Sequence, residues 1–272
     1  MEGNIYMEIT KESKDHLIEQ IENLCGRRPL FYLKFCSCKE FANDVCNGDL
    51  YANNPTYFRD LELKTGERGQ GDSCELISYI ETERITMCDS ETGNIIMTAP
   101  KGTFKVQFEG DNSVPMVCFV GIPLREMNIV DADEKHADFF FPFTEEEYAL
   151  MEEKFGKYCI IISARELENK IQKYCIRQNC DYVFDGIDYC PQNRIDRIQA
   201  FNTGSKERFL YKNEDLSYQR EYRLALACEM PEDHFIKIGK LEEATILETS
   251  ELSNMKFTIH YTSHNIEDSI KD

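Results

Sequence analysis

What this chain lacks bounds what it can be. No stretch approaches the roughly eighteen consecutive apolar residues that a membrane-crossing helix needs, so no membrane span is expected. The opening residues, Met1-Glu2-Gly3-Asn4-Ile5-Tyr6-Met7-Glu8, lack both the basic segment and the apolar segment of a secretory leader. A cytoplasmic chain with reduced thiols is the expectation. Basic residues are in short supply: 31 Lys and Arg stand against 50 Asp and Glu, for a net charge of −19. So negative a surface repels phosphate backbones at long range, and no cluster of basic residues offsets it. Direct nucleic-acid binding and anionic membranes are therefore disfavoured, while a basic protein, a cationic ligand or plain solubility stays open. There is no internal repeat, no low-complexity tract and no linker long enough to demand a domain boundary.

What is present is the composition of a globular protein, with 42% hydrophobic and 30% charged residues in 272. Of the 12 cysteines, Cys118, Cys159 and Cys228 sit in or beside apolar runs, where a thiol serves as a small core side chain. Cys36 and Cys38 form a CxC, and Cys175, Cys180 and Cys190 follow at wider spacing. Structural zinc prefers two close pairs, and no second pair or nearby histidine completes a set. His16, His136, His234, His260 and His264 occur in no recognised nucleophile setting, and none is assigned a catalytic role.

Read in order, Leu17, Ile18, Ile21, Leu24 and Cys25 recur at helical spacing, so a helix is predicted over 10–25 with Gly26 as its stop. A strand over 30–35 follows, then a short helix over 38–46 burying Phe41 and Val45, and a strand over 50–52 running into the turn residues Asn53-Asn54-Pro55. Short alternating runs at 76–80, 85–88, 95–98, 104–108 and 116–120, separated by turn signals, predict a meander of hairpins. Thr144 and Glu147 form a capping box opening a helix that ends near Gly156, and Ser163 and Glu166 form a second one opening a helix through about 175. Strands are predicted at 158–162, 181–184, 222–228, 234–238, 244–247 and 256–261, with a helix over 192–201. The expected fold is α+β: a single domain spanning 1–272, with 1–28 as an N-terminal helical extension and a mixed, largely antiparallel sheet with flanking helices.

Two stretches carry candidate chemistry. The first is Tyr57-Phe58-Arg59-Asp60-Leu61-Glu62 with the loop Thr65-Gly66-Glu67-Arg68-Gly69-Gln70-Gly71-Asp72. Its glycines would let a backbone approach a ligand closely, or else form a surface turn. Asp60, Glu62, Asp72 and Glu75 could hold Mg²⁺, but pairing with Arg59 and Arg68 suits them better, and no metal site is assigned. The second is Lys212 to Leu226. If extended, it puts Gln219 and Glu221 on one face and Arg220 and Tyr222 on the other. A glutamate beside a hydrogen-bonding amide can stabilise an oxocarbenium-like transition state in N-glycosidic cleavage. The alternative is an ion pair of Glu221 with an arginine such as Arg59.

The blocks Leu30-Phe31-Tyr32-Leu33-Lys34-Phe35, Asn47-Gly48-Asp49-Leu50-Tyr51-Ala52-Asn53-Asn54-Pro55, Tyr57-Phe58-Arg59-Asp60, Arg68-Gly69-Gln70-Gly71-Asp72 and Tyr218-Gln219-Arg220-Glu221-Tyr222-Arg223 resemble an uncharacterised family of bacterial and phage proteins. Members of that family open with a Leu-Tyr-Lys-Tyr strand, pass a Phe-Asn-Asp turn and close on a Tyr-x-x-Glu-x-Arg strand. The resemblance implies a place in phage–host conflict. The late Gln-x-Glu is also similar to the layout of ADP-ribosyltransferases. That likeness implies NAD as cofactor, Glu221 as the catalytic residue that stabilises the ribosyl cation, and Gln219 positioning it. It also implies a nucleotide held by Lys34, Tyr57, Arg59, Arg68, Asp72 and Arg223. This chain departs from the pattern in offering only Lys34 where that family carries Arg or His on its first strand. The rival expectation is a non-catalytic acidic binding protein whose partner is a basic or nucleic-acid-binding host factor.

Overall fold

The computed structural model of the chain describes residues 11–133 and 136–260. His264 and the last residue of the strand expected over 256–261 lie outside them, as do residues 1–10. In chain order the elements are α1 (Lys11–Cys25), β1 (Phe31–Cys36), α2 (Lys39–Cys46), β2 (Asp49–Tyr51), α3 (Pro55–Thr65), β3 (Ser78–Thr82), β4 (Ile85–Cys88), β5 (Ile95–Ala99), β6 (Gly102–Val106) and β7 (Met116–Gly121). They continue with β8 (Asn128–Ala132), β9 (His136–Phe140), α4 (Glu145–Phe155), β10 (Tyr158–Ser163), α5 (Ala164–Gln178), β11 (Tyr182–Gly186), β12 (Asp188–Tyr189), α6 (Ile195–Thr203), β13 (Tyr211–Lys212), β14 (Glu221–Leu226), β15 (Phe235–Lys237), β16 (Ala244–Glu248) and β17 (Lys256–His260). The fold class is α+β, with largely antiparallel strands and flanking helices. The chain groups into two compact units, each made of non-contiguous segments.

The first unit takes residues 1–47, 121–169 and 240–272. Here β10 pairs antiparallel with β1 on one side and β16 on the other. The run Cys159-Ile160-Ile161-Ile162 suits this central place, because a strand flanked on both edges can bury both faces, and Cys159, Ile160 and Ile162 are fully buried. A second antiparallel sheet has the order β17-β9-β8, and β8 and β9 answer to no expected strand. A run of aromatic contacts links the two sheets: Phe31 meets Phe257 at 4.9 Å, Phe257 meets Phe141 at 4.8 Å, and Phe143 continues to Tyr148 on α4 at 5.3 Å. Helix α1 belongs to this unit through buried Ile21 and through Glu22, whose carboxylate accepts two bonds from Arg125 at 3.0 and 2.5 Å.

Several local expectations meet their physics here. Thr144 and Glu147 form both bonds of the capping box that opens α4. At α5 the Glu166 carboxylate instead accepts from the backbone N–H groups of Glu242 and Glu243, both at 2.8 Å. In α2 the buried pair is Ala42 and Val45, spaced i, i+3. Phe41 falls about 100° round the helix from Ala42 and is left 55% exposed, so the expectation that it is buried is corrected.

The second unit takes residues 48–120 and 170–239. Strand β14 pairs antiparallel with β11 and β7, and β15 pairs with β2. The short β12 and β13 run parallel. Packed on this framework is a core of Leu76, Met116, Phe201, Phe209 and Ala225, joined by the partly buried Phe58, Val106, Val114 and Val183. The predicted turn at Asn53-Asn54-Pro55 is a helix start. The Asn54 side chain accepts from the Tyr57 N–H at 2.9 Å and Pro55 opens α3, the preferred cap and first-position chemistry. The expected meander is a nested hairpin: β3 pairs with β6 and β4 with β5, so the chain runs out along one side and returns along the other.

Candidate functional site: a buried charge network

The glycine loop and the late Gln-x-Glu segment both lie in the second unit, and they touch. Buried Gln219 donates from Nε2 to the Gly69 carbonyl at 2.7 Å, and Arg68 pairs with Asp215 at 3.0 Å on the surface. Two glycines are dictated by these contacts. A Cβ on Gly71 would stand 2.4 Å from the Glu62 backbone nitrogen, and one on Gly69, at φ +129°, would stand 2.7 Å from the Tyr218 hydroxyl. Packing against α3 and against the Tyr218 turn thus accounts for both residues without a ligand.

Gln219 and Glu221 do not follow one another along an extended face. Gln219 ends a 3-10 turn over Glu214–Gln219, and Arg220 is left-handed at φ +45°. Strand β14 begins at Glu221, so the residues sharing its face are Glu221 and Arg223. The Arg223 side chain is fully buried. Its Nε donates to Glu221 Oε1 at 2.8 Å, and its two terminal nitrogens donate to the Glu75 carboxylate at 2.7 and 3.1 Å. A further bond runs to the Phe209 carbonyl at 2.8 Å. Buried Lys212 donates to the second Glu221 oxygen at 2.5 Å and to the Gln219 amide oxygen at 3.0 Å, and lies 3.8 Å from Glu75. Two carboxylates thus face two cations, and Tyr189 accepts from the Glu221 N–H at 2.9 Å.

The electrostatics follow from that balance. Burial alone would raise the pKa of Glu221, but Arg223 and Lys212 outweigh it and hold the carboxyl well below the usual range. Burial would likewise depress Lys212, and Glu221 with Glu75 raises it instead. Arg223 is raised for the same reason. Asp72 stands apart: burial, and next the Glu75 charge, push its carboxyl up. Its Oδ1 accepts from the Cys74 N–H at 2.9 Å.

The remaining candidates scatter. Arg59 donates to the Glu75 carbonyl at 2.7 Å and to Asn112 at 2.5 Å, so the arginine on Glu221 is Arg223 and not Arg59. Tyr57 is exposed on α3, edge-on to Phe58 at 5.5 Å. Lys34 lies on β1 of the first unit, opposite Ile160. Of the four acids weighed for Mg²⁺, Asp60 faces Lys64 at 3.7 Å on the surface and Glu62 accepts from the Ser73 N–H at 2.5 Å, while Asp72 and Glu75 are buried. Metal-capable side chains gather in the first unit, where ligand atoms of Asp131, His136 and Asp138 lie within 4.8 Å of one another. There Asp138 is already bonded to Lys256 at 2.5 Å and Thr258 at 2.6 Å, and His136 Nδ1 meets Asp133 at 2.8 Å.

Sequence reasoning passed over Lys212, Tyr189 and Arg197. Arg197 is fully buried on α6, and its guanidinium donates to the Cys190 and Lys212 carbonyls at 3.0 and 3.2 Å. Its spacing to buried Ala200 and Phe201, at i+3 and i+4, puts it on the inward helical face, a signal readable in advance. No protein-family profile, curated protein or solved structure matches this chain.

Proposed function

We propose that this protein acts by binding, as an acidic factor of phage–host conflict inside the cell that occupies a basic, nucleic-acid-binding site on a host protein. The observation that carries this reading is the state of Glu221, whose two carboxylate oxygens are taken by Arg223 and Lys212 at 2.8 and 2.5 Å inside the second unit. A carboxylate so paired is ionised, but both its oxygens are engaged and its charge is offset by two cations, which leaves little to meet a developing ribosyl cation. The net charge of −19 remains as the property with reach, and it favours fast, salt-sensitive association with a basic surface.

The test presents the immobilised protein to purified basic DNA-binding proteins at about 0.1 and about 0.5 M salt, with and without duplex DNA as competitor. Retention that falls steeply with salt and is displaced by DNA is expected. Retention indifferent to both overturns the reading.

A second reading, an enzyme of ADP-ribosyltransferase-like plan using NAD, is favoured by one contact: Gln219 ties the Glu221 strand to the glycine loop at Gly69, beside an Asp72 carboxyl with raised proton affinity. Perturbed groups gathered in one place mark sites as well as ion-pair networks. NAD turnover by the unmodified chain, lost in Gln219→Ala, would establish it in place of the first.

A further inference from the structure

The stretch from Tyr79 to Gly110 contains no buried residue. It forms a two-stranded arm of the second unit, with β3 and β6 at its root and β4 and β5 beyond them. Its tip is closed by its own turn: Asp89 Oδ1 accepts from the backbone of Glu91 and Thr92 and from the Thr92 hydroxyl, at 3.1, 2.7 and 2.7 Å. Each outer strand therefore presents one open edge of N–H and C=O groups.

Apolar residues recur along the arm. Cross-strand pairs place Ile80 opposite Phe104, Ile85 opposite Ala99 and Met87 opposite Met97. Met87, Ile95, Ile96, Met97 and Phe104 are all large and exposed, Ile95 by 64% and Ile96 by 61%. A two-stranded ribbon with no core of its own is marginal in water, and apolar residues gathered on one exposed element mark an interaction surface. The other large exposed side chains, Phe41, Tyr51, Tyr57, Leu63, Val130, Ile176 and Ile195, are spread over six other elements, no more than two to an element.

Charge selects the occupant. From Ser78 to Val106 the arm holds four acids (Glu81, Glu83, Asp89, Glu91) and three bases (Arg84, Lys101, Lys105), a net of −1 out of the chain's −19. A basic partner would gain little there. Two copies of a strongly acidic chain repel one another over most of their charge, but a nearly neutral apolar ribbon is where they can approach.

We propose that the β4–β5 arm is a self-association element, joining two copies of this chain arm to arm through the Met87 and Met97 face and the open strand edges. Such a contact is isologous, the same patch on both copies, and closes as a dimer. It is independent of the partner-binding reading above.

The test is sedimentation of the full chain across about 1–100 μM, beside two variants. The wild type should move from one chain mass to two as concentration rises, and added salt should strengthen the dimer by screening the repulsion of the remaining charge. Met87→Glu with Met97→Glu should raise the dissociation constant about 100-fold or more, with thermal unfolding unchanged at concentrations where both proteins are monomers, because the sites are exposed. Met87→Leu with Met97→Leu should keep the dimer. A wild type that stays monomeric throughout, or a dimer that survives the glutamate pair, overturns the proposal.

Discussion

At the scale of single residues, the buried quartet of Glu75, Glu221, Lys212 and Arg223 behaves as a unit, and its members cannot be removed one at a time without cost. Glu221→Gln leaves the two cations facing one carboxylate, and a loss of about 3–5 kcal/mol in urea unfolding is expected. Adding Lys212→Met to that variant should recover part of the loss, since the bidentate Arg223–Glu75 pair is then balanced again. A double variant that costs the sum of the two singles would contradict this coupling. The acids also titrate in opposite senses. Glu221 has a folded-state pKa held below its ordinary value of 4.5, so its stabilisation is present above that value and drains away as pH falls below it. Asp72 is raised above its ordinary 3.8, so the folded state keeps the proton longer and the ionised group weakens folding as pH climbs past that value. Asp72→Asn, which still accepts from Cys74, should therefore gain stability over wild type between pH 3 and pH 7. A relative loss across that interval would show that Asp72 is stabilised as the anion. These residues were half legible beforehand. An ion pair of Glu221 with an arginine was expected, but with Arg59 as the example rather than Arg223 two residues on, and Glu75 is 148 positions from Arg223, a distance at which no local pattern announces a partner.

At the scale of elements, cap chemistry was read unevenly and long-range pairing least of all. The Thr144 box formed as expected, whereas the Glu166 carboxylate of the second expected box is taken by the Glu242 and Glu243 N–H groups, distant in sequence. Asn54-Pro55 carries local chemistry, a side-chain cap followed by a first-turn proline, and it starts a helix where turn composition alone suggested a loop. Asn54→Ala should cost about 1 kcal/mol, measured as a fall in thermal midpoint. An unchanged midpoint would mean that α3 is held by packing alone. Gly71→Ala drives a Cβ into the backbone of α3 at Glu62 and should cost about 1–3 kcal/mol. A tolerated alanine would show that the loop moves aside. The strands of the arm were seen individually, yet their nesting was not, because turn residues mark where a strand stops and say nothing of which other strand it meets. β8 and β9 escaped altogether, since Asn128–Ala132 and His136–Phe140 carry acids among their apolar residues and lack a clean alternation.

At the scale of the whole molecule, none of the described helices is long and apolar enough to cross a membrane, and the excess of acids is spread along the chain rather than gathered in one tract. That distribution makes the salt test of partner binding a property of the entire chain, whereas self-association is confined to one arm, so each can fail without the other. The interleaving of the two units carries a further consequence for biogenesis. Strand β10 is made in mid-chain, yet one of its two ladder partners, Ala244–Glu248, comes only after the whole second unit has been translated. Until then the nascent chain presents the Ile160 and Ile162 strand with one flank unpaired, a ready client for chaperones. A stop codon placed before Lys240 should accordingly yield an aggregating or proteolysed product rather than a smaller folded protein.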